Sequence, residues 1–535
     1  MKYDSIIVGG GIAGLTAAAF LTKAGKSVIL YERQQLVGGL VQTFNRNNVW
    51  FDTGLRSIED SGIVFPMLRQ LGIDIDFVKS NVSIGIGRSI LKLEGKESLH
   101  QYEDFLKEHY PDNKEDIERI IREIKRIMNY MDVLYGIDNP AFMDMMADKK
   151  YLVKVILPWL FRFLFSVRKI NSLKEPVEDY LSRLTKNRQL IDIIAQHFFQ
   201  KTPTSFALSY FRLYIDYHYP KGGTATLINK VRDYIIDHGG VIKTGMTIES
   251  LQPEEKYVVD NQGNRMGFES LIWAADSKML YNCIPVEQLK NKKLSGRILA
   301  KRSLLKDLHG GDSVFTVYLT VNESKEYFSE VCTGHFFYTP EKSGLSTISR
   351  DAINRFLTGQ DGTQEDDILK NQVKEYLSEF CRLNTFEIAI PVLRDASLAP
   401  EGKTGLIVSL LFDYQLAKKI DDHGWTDEIR DFLELTYISV LDDSIFPGLG
   451  QKISDRSSSS PLTINSRTGN TEGAITGWAF TNSYMPAESR LLNVASSVNT
   501  LIPSVYQAGQ WVYSPAGFPI SILTGKLAAD KVLKR

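Results

Sequence analysis

The sequence predicts an α/β protein: a doubly wound, mostly parallel sheet with a second, mixed α/β part inserted into it. Three observations carry this. A strand–turn–helix–strand unit with glycines at positions 9, 11 and 14 opens the chain. Alternating strand and helix patterns return at 219–276 and again at 505–533. The stretches between them read as long helices and mixed elements instead. With 535 residues, the chain has ample material for a large core without disulfides or a structural metal.

Tyr3 to Val8 reads as a buried strand running into Gly9-Gly10-Gly11-Ile12-Ala13-Gly14 and then an alanine-rich helix. Gly25 stops that helix, and Ser27 to Glu32 forms a second strand. Gly9 allows the tight turn, Gly11 lets a pyrophosphate approach the backbone, and Gly14 lets the helix pack on the strand. Free N–H groups and the positive dipole end near Ile12 and Ala13 suit the phosphates. Glu32 stands 18 residues past Gly14, where its carboxylate can accept hydrogen bonds from ribose hydroxyls. These residues form a Rossmann-type dinucleotide-binding unit.

Arg33, Gly38-Gly39-Leu40 and Phe51-Asp52-Thr53-Gly54 follow. The Glu-Arg-x4-Gly-Gly run resembles the extended FAD signature of the flavin amine oxidase superfamily, on its phytoene desaturase, carotenoid isomerase and retinol saturase side. That resemblance implies FAD as cofactor, with the second glycine pair beside its pyrophosphate and ribityl chain and Phe51–Gly54 along the isoalloxazine. Tyr219-Pro220-Lys221-Gly222-Gly223, then Gly239-Gly240 and Ile248, are similar to the family's second cofactor segment. By that match, backbone around Ile248 would hold the adenine. Val505 to Trp511 reads as a strand carrying Gly509 and Gln510; Ser514 to Pro519 is a loop, and a small-residue helix runs from Ile520 to Leu533. This resembles the family's closing motif, with Phe518 and Pro519 at a helix start aimed at the flavin pyrimidine. Gln510 stands where many relatives have Asp or Glu.

The resemblance implies a Rossmann-type FAD-binding domain assembled from 1–75, 216–280 and 461–535. A substrate-binding domain comes from 76–215 and 281–460. Lys107 to Ile137 contains a helical stretch with Ile117, Ile120, Ile121, Ile124, Ile127 and Met128 at helical spacing. Val314 to Thr320 reads as a strand, and Arg456-Ser457-Ser458-Ser459-Ser460-Pro461 as a polar loop.

Residues 151–169 stand apart. Leu157, Leu160, Phe161, Leu164 and Phe165 share one face, with Lys154, Pro158 and Arg162 on another. Such a helix suits a membrane interface or a gate for a lipid substrate; a core helix of the substrate domain is the other reading. Further candidates are Arg56, as a cation beside the flavin or a surface charge, and His197, as a half-buried satisfied histidine or a cavity proton donor. Tyr210, Tyr214, Tyr217, His218 and Tyr219 read as packing or pocket lining, and Lys221 as a loop cation. No single catalytic residue is assigned.

Lys plus Arg number 63 against 64 Asp plus Glu, a net charge of −1, so no electrostatic footprint for nucleic acid exists. Three widely spaced cysteines and no HExxH give no disulfide framework and no metal site. The apolar run near the N-terminus is too short for a signal sequence, and no transmembrane span is expected. The expected location is cytoplasmic, either soluble or peripheral on the inner membrane face. The expected function is FAD-dependent desaturation, saturation or isomerisation of an apolar polyene or isoprenoid lipid, by hydride exchange with flavin N5. A flavin amine oxidase and a flavin-carrying lipid-binding protein without turnover are the alternatives.

Overall fold

The computed structural model describes residues 2–95, 97–143, 157–359 and 366–534. Its first sheet is built on the strand Lys2–Val8. Val28–Tyr31 pairs parallel with it on one side and Arg265–Trp273 on the other. Val241–Lys243 extends the sheet beyond Val28–Tyr31, and Val505–Gln507 pairs with the second half of Arg265–Trp273. Five parallel strands thus come from three distant parts of the chain. The antiparallel strands Tyr257–Asp260 and Ile248–Gln252 continue from the first half of Arg265–Trp273.

Ile6, Ile7, Val28, Leu30, Leu271 and Ile272 have essentially no exposed surface. Both faces are covered, which is why these strands read as unbroken apolar runs rather than alternating ones. On one face pack the helices Ile12–Lys23, Ala225–Asp237 and Phe518–Leu533. On the other lies Lys292–Lys306, through Leu294, Ile298 and Leu305. This helix falls in the stretch expected to build the substrate part, yet it covers the first sheet. Apolar spacing shows that a helix has a buried face, not which sheet will bury it.

The second sheet runs Ile453–Ser459, Ser313–Val321, Thr404–Phe412, Phe386–Ala389, His335–Thr339, Val82–Ile86, Ser89–Leu93. Only His335–Thr339 with Val82–Ile86 is parallel. The serine run is not a loop. Ser457, Ser458 and Ser459 sit in the edge strand, paired with Tyr318, Val317 and Thr316. At an edge the ladder to a strong apolar neighbour outweighs weak local propensity, and serine hydroxyls find polar partners: Ser458 Oγ donates to Glu434 Oε1 at 2.6 Å.

Helices Ser98–His109, Lys114–Tyr135, Arg188–Ala195 and Thr204–Leu213 share a third core, which buries Ile117, Ile120, Ile121, Ile124 and Ile127. Pro111 opens a short turn between the first two helices, so the pattern around Lys107 splits there. A small sheet joins the layers: Ile58–Glu59 and Phe77–Lys79 flank Tyr217–Pro220.

Candidate cofactor cleft and adjoining hollow

Gly9 has φ 106°, and a Cβ there would stand 2.7 Å from the Ala274 carbonyl oxygen. At Gly14 a Cβ would lie 2.0 Å from Gly9 O. Both positions exclude a side chain because strand, turn and helix touch there. Gly11 differs, since a Cβ on it meets nothing within 4 Å. Open space therefore stands before the helix Ile12–Lys23, whose N-terminus has no side-chain cap. Unpaired amides at a helix start favour an anion.

A second glycine loop presses on the first. Gly38 N–H donates to Gly10 O at 2.8 Å, and Gly38 bridges to Gly11. A Cβ on Gly39 would lie 3.3 Å from Gly11 Cα. Gly54 N–H donates to Leu40 O at 3.0 Å, stacking that backbone alongside. Glu32 is buried against the same loop: Oε2 accepts from Gly10 N–H and Oε1 from Gln34 N–H, both at 2.8 Å. Each oxygen keeps a lone pair for a further donor. Ile248 is drawn close by Met246 N–H, which donates to Glu32 O at 2.9 Å.

The C-terminal segment closes the cleft. Gly509 N–H donates to Thr524 Oγ1 at 2.9 Å, and a Cβ on Gly525 would stand 2.3 Å from Ala13 O. The last helix therefore lies directly on the first, with Phe518 and buried Pro519 in its own uncapped first turn. Two expected contacts point elsewhere. Arg33 donates to Ser466 O. Gln510 Nε2 donates to Ala474 O at 3.3 Å.

Phe51 and Asp52 do not line open space. Phe51 packs between Phe44 and Tyr318, with ring centroids 5.5 and 5.8 Å away. Asp52 is fully enclosed and accepts from Tyr219 Oη at 2.6 Å, Thr43 Oγ1 at 2.6 Å, and Thr224 N–H and Oγ1 at 2.9 Å. Strand pairing of Val49–Asp52 with Thr43–Arg46 turns these side chains inward.

Arg56 is not a surface cation; it is 5% exposed. It donates to Asp52 O at 2.9 Å, Thr53 O at 2.6 Å and Ser409 Oγ at 2.9 Å, tying the cofactor side to the second sheet. Arg394 donates to Arg56 O at 2.5 Å and lies 3.9 Å from the Tyr219 ring centroid. Neither guanidinium meets a carboxylate at ion-pair distance among the described residues, so positive charge is concentrated here. Burial lowers the Arg394 pKa.

Beyond the arginines the second sheet carries a buried pair. His335 Nε2 donates to Glu387 Oε1 at 3.0 Å, and Nδ1 lies 3.2 Å from Ser57 Oγ. Burial pushes the Glu387 carboxyl up, but the His335 hydrogen bond and nearby positive charge more than offset it, leaving its pKa lowered. Burial also lowers His335, so a neutral ring donates to a carboxylate. About a third of the Glu387 side chain (34%) remains open. Glu59 lies close enough to Tyr135, Tyr210 and Tyr217 to act on them electrostatically, as Glu387 does on Tyr210 and Tyr217. His197 bonds Tyr214 Oη at 2.9 Å, as a satisfied histidine should, and burial pushes its pKa down to about 4. Lys221 pairs with Asp76 at 2.6 Å on the surface.

The sequence reading passed over His335, Glu387, Arg394 and Glu59. A usable signal existed for one: Glu387 interrupts the apolar strand Phe386-Glu387-Ile388-Ala389. Among the described residues no group of three or more His, Cys, Asp or Glu could hold a metal ion.

A Rossmann sheet, two interlocked glycine loops and a second, mixed sheet define a flavoprotein oxidoreductase fold. Residues 7–71 match the model for an NAD(P)-binding Rossmann-like domain. The chain is 22% identical to the all-trans-retinol 13,14-reductase of Danio rerio, over 99% of this chain and 86% of that protein. The match to the Macaca fascicularis protein of the same name, at 25% identity, spans half of this chain and 44% of that one. The Staphylococcus aureus 4,4'-diapophytoene desaturase is 19% identical over 99% of this chain and 98% of its own. Among solved structures, an oxidoreductase from Methanosarcina mazei covers both chains completely with TM-score 0.58 and 14% identity. Putrescine oxidase with bound putrescine does so with TM-score 0.59 and 13% identity. Over most of its length the chain is thus similar to proteins named all-trans-retinol 13,14-reductase, prolycopene isomerase and 4,4'-diapophytoene desaturase.

Proposed function

We propose that this protein binds FAD and uses it to add, remove or rearrange hydrogen on an apolar polyene or isoprenoid lipid. The observation that carries this is the cleft where Gly11 and Gly38 meet before an uncapped helix start. Amides of Gly11 to Gly14 would hold the diphosphate, with Gly9 keeping their turn tight. Glu32 would take the ribose hydroxyls and the backbone by Ile248 the adenine. Gly38, Gly39, Leu40 and Gly54 would face the ribityl chain and ring, and the end of the last helix at Phe518 and Pro519 the pyrimidine. Gly509 would close the wall. Bound FAD supplies hydride exchange at flavin N5. The chain's own contribution is to orient the lipid, exclude water, and set positive charge at Arg56 and Arg394 beside the reacting region. The relatives' names share polyene substrates and differ in outcome: a reductase, an isomerase and a desaturase.

The test is a yellow preparation whose extracted cofactor is FAD, mixed anaerobically with polyenes and with an amine panel. Polyene-dependent change in flavin oxidation state is expected. Bleaching by amines alone would make the protein an amine oxidase. Flavin and lipid binding without turnover would make it a carrier; one zebrafish relative is named an inactive all-trans-retinol 13,14-reductase.

We propose further that the lipid enters along helix Leu157–Asn171. Residues 151–156 of the expected gate lie outside the described residues. On the helix, Phe161 is 71% exposed, Phe165 57% and Leu157 53%, with Leu160 and Leu164 beside them. Arg162, Arg168 and Lys169 are exposed too, and the helix contains no acidic residue. Trp159 anchors its start by donating to Val133 O at 2.6 Å. An apolar face with a basic flank suits an anionic lipid interface. No described helix is long and apolar enough to cross a membrane. Replacing both Phe161 and Phe165 by Ser is expected to weaken flotation with phosphatidylglycerol vesicles at least tenfold while leaving the melting temperature unchanged, since each ring contributes about 2 kcal/mol when buried in lipid. Undiminished flotation would remove this role.

A further inference from the structure

We propose that the helix Lys292–Lys306 is a docking surface for an anionic lipid bilayer. It would be a second point of membrane contact besides the helix Leu157–Asn171. The proposal rests on the reading of the substrate as a lipid, and names a further face of the protein that meets the membrane holding it.

Six of the fifteen residues of this helix are Lys or Arg, and none is Asp or Glu. Its inner side is accounted for, since Leu294, Ile298 and Leu305 lie on the first sheet. The rest of its circumference carries exposed Lys292, Lys293, Arg297 and Lys306, with half-buried Lys301. This pattern works against the helix itself. Lys292 and Lys293 stand in the first turn, where the dipole disfavours cations, and no acidic residue in that turn offsets them. Lys293, Arg297 and Lys301 repeat at four-residue spacing, which stacks like charges along one stripe. Glu254 accepts from Lys290 N–H and Asn291 N–H at 2.8 Å and stands near Lys292. Lys293, Arg297, Lys301 and Lys306 have no side-chain hydrogen bond or ion pair among the described residues. By contrast Lys370 and Lys374, on another surface helix, both pair with Glu428. Natural sequences keep local conflicts of this kind where a site requires them.

Three observations point to lipid as what the cations meet. Leu299 is 49% exposed and Leu304 48%, and both lie on the outer arc among the cations. At a bilayer interface such leucines enter the acyl boundary while the cations hold phosphates. Beside the last turns, a pocket of about 290 Å³ is lined by Lys278, Arg302 and Lys306 and by no carboxylate. Arg302 is fixed there by donating to Tyr281 O at 2.8 Å, and Lys278 by donating to Leu308 O at 2.7 Å. That lining suits a headgroup phosphate. Finally, Tyr484 Oη donates to Leu304 O at 2.7 Å, and Lys174 Nζ donates to Ser489 Oγ at 3.4 Å. Lys174 follows the helix Leu157–Asn171 by three residues. Tyr484 and Ser489 are at most about 18 Å apart along the chain, so one short segment joins the two basic helices.

The test is flotation of the flavin-loaded protein with phosphatidylcholine vesicles, with and without about 30% phosphatidylglycerol. One variant combines Lys293→Gln, Arg297→Gln, Lys301→Gln and Lys306→Gln; another combines Leu299→Ser and Leu304→Ser. Each cation at an anionic surface strengthens binding about fivefold. The glutamine variant should therefore bind the anionic vesicles at least tenfold more weakly, and the serine variant at least threefold. Both should keep the melting temperature, the flavin content and wild-type turnover of detergent-dispersed polyene. Binding of either variant within twofold of wild type overturns this helix as a lipid surface and leaves an acidic protein as what its cations meet. Wild type that does not float with anionic vesicles overturns it too. Wild type that floats but turns over no polyene is a separate failure, that of the parent reading.

Discussion

A Gly11→Val variant is expected to fold as well as the wild type and to lose its flavin. The backbone at Gly11 has φ −70° and ψ 174°, which valine adopts freely. Its side chain would enter space where no atom lies within 4 Å of a Cβ. Apo stability should therefore change by less than about 1 kcal/mol. That same space is where a diphosphate must approach the amides, so flavin affinity should fall at least 100-fold, about 2.7 kcal/mol. Gly14→Val gives the opposite contrast. Its Cβ would lie 2.0 Å from Gly9 O, a backbone atom that cannot move without opening the turn. A loss of about 3 kcal/mol in apo stability follows from overpacking alone. Calorimetry of the apo-proteins and flavin titration by fluorescence separate the two. Wild-type flavin affinity in Gly11→Val would mean that the diphosphate lies elsewhere.

Asp52→Ala should be among the most destabilising single changes outside the cofactor cleft. Four hydrogen bonds converge on this enclosed carboxylate, from Thr43, Tyr219 and both donors of Thr224. Removing it strands donors that cannot reach water and unties the early hairpin from the segment at 219–224. The expected cost is about 3–5 kcal/mol, the range for breaking a buried charged network. Asp52→Asn keeps one acceptor and should lose about half as much. Denaturation midpoints give the comparison, and the fraction that stays folded should keep its flavin. A folded Asp52→Ala protein of wild-type stability but without flavin would return Asp52 to the cofactor site.

The first sheet was legible because its physics is local. Gly9, Gly11 and Gly14 punctuate a strand and a helix within fourteen residues, and the buried runs at 5–8 and 271–273 carry no alternation to confuse them. The glycine turns of the candidate cleft were legible for the same reason, since a turn that needs glycine is marked by it in the sequence. Asp52 was misread because nothing in Phe-Asp-Thr-Gly reveals that Thr43 and Thr224 will surround the carboxylate. Ser457 to Ser459 misled because an edge strand borrows its order from its neighbour, Ser313–Val321. Glu59, Glu387, His335 and Arg394 come together only through pairings between segments up to about 330 residues apart, which no local pattern encodes.

The first sheet takes its outermost parallel strand from Val505–Gln507. A ribosome adding about 5–20 residues per second finishes that strand roughly 25–100 s after Lys2–Val8. Throughout that interval the nascent N-terminal half lacks the edge that covers Leu271 and Ile272, and the helix that lies across Ala13 does not yet exist. The cleft therefore closes only after the last strand and helix have been made, and until then the sheet keeps an unpaired edge at Leu271–Trp273.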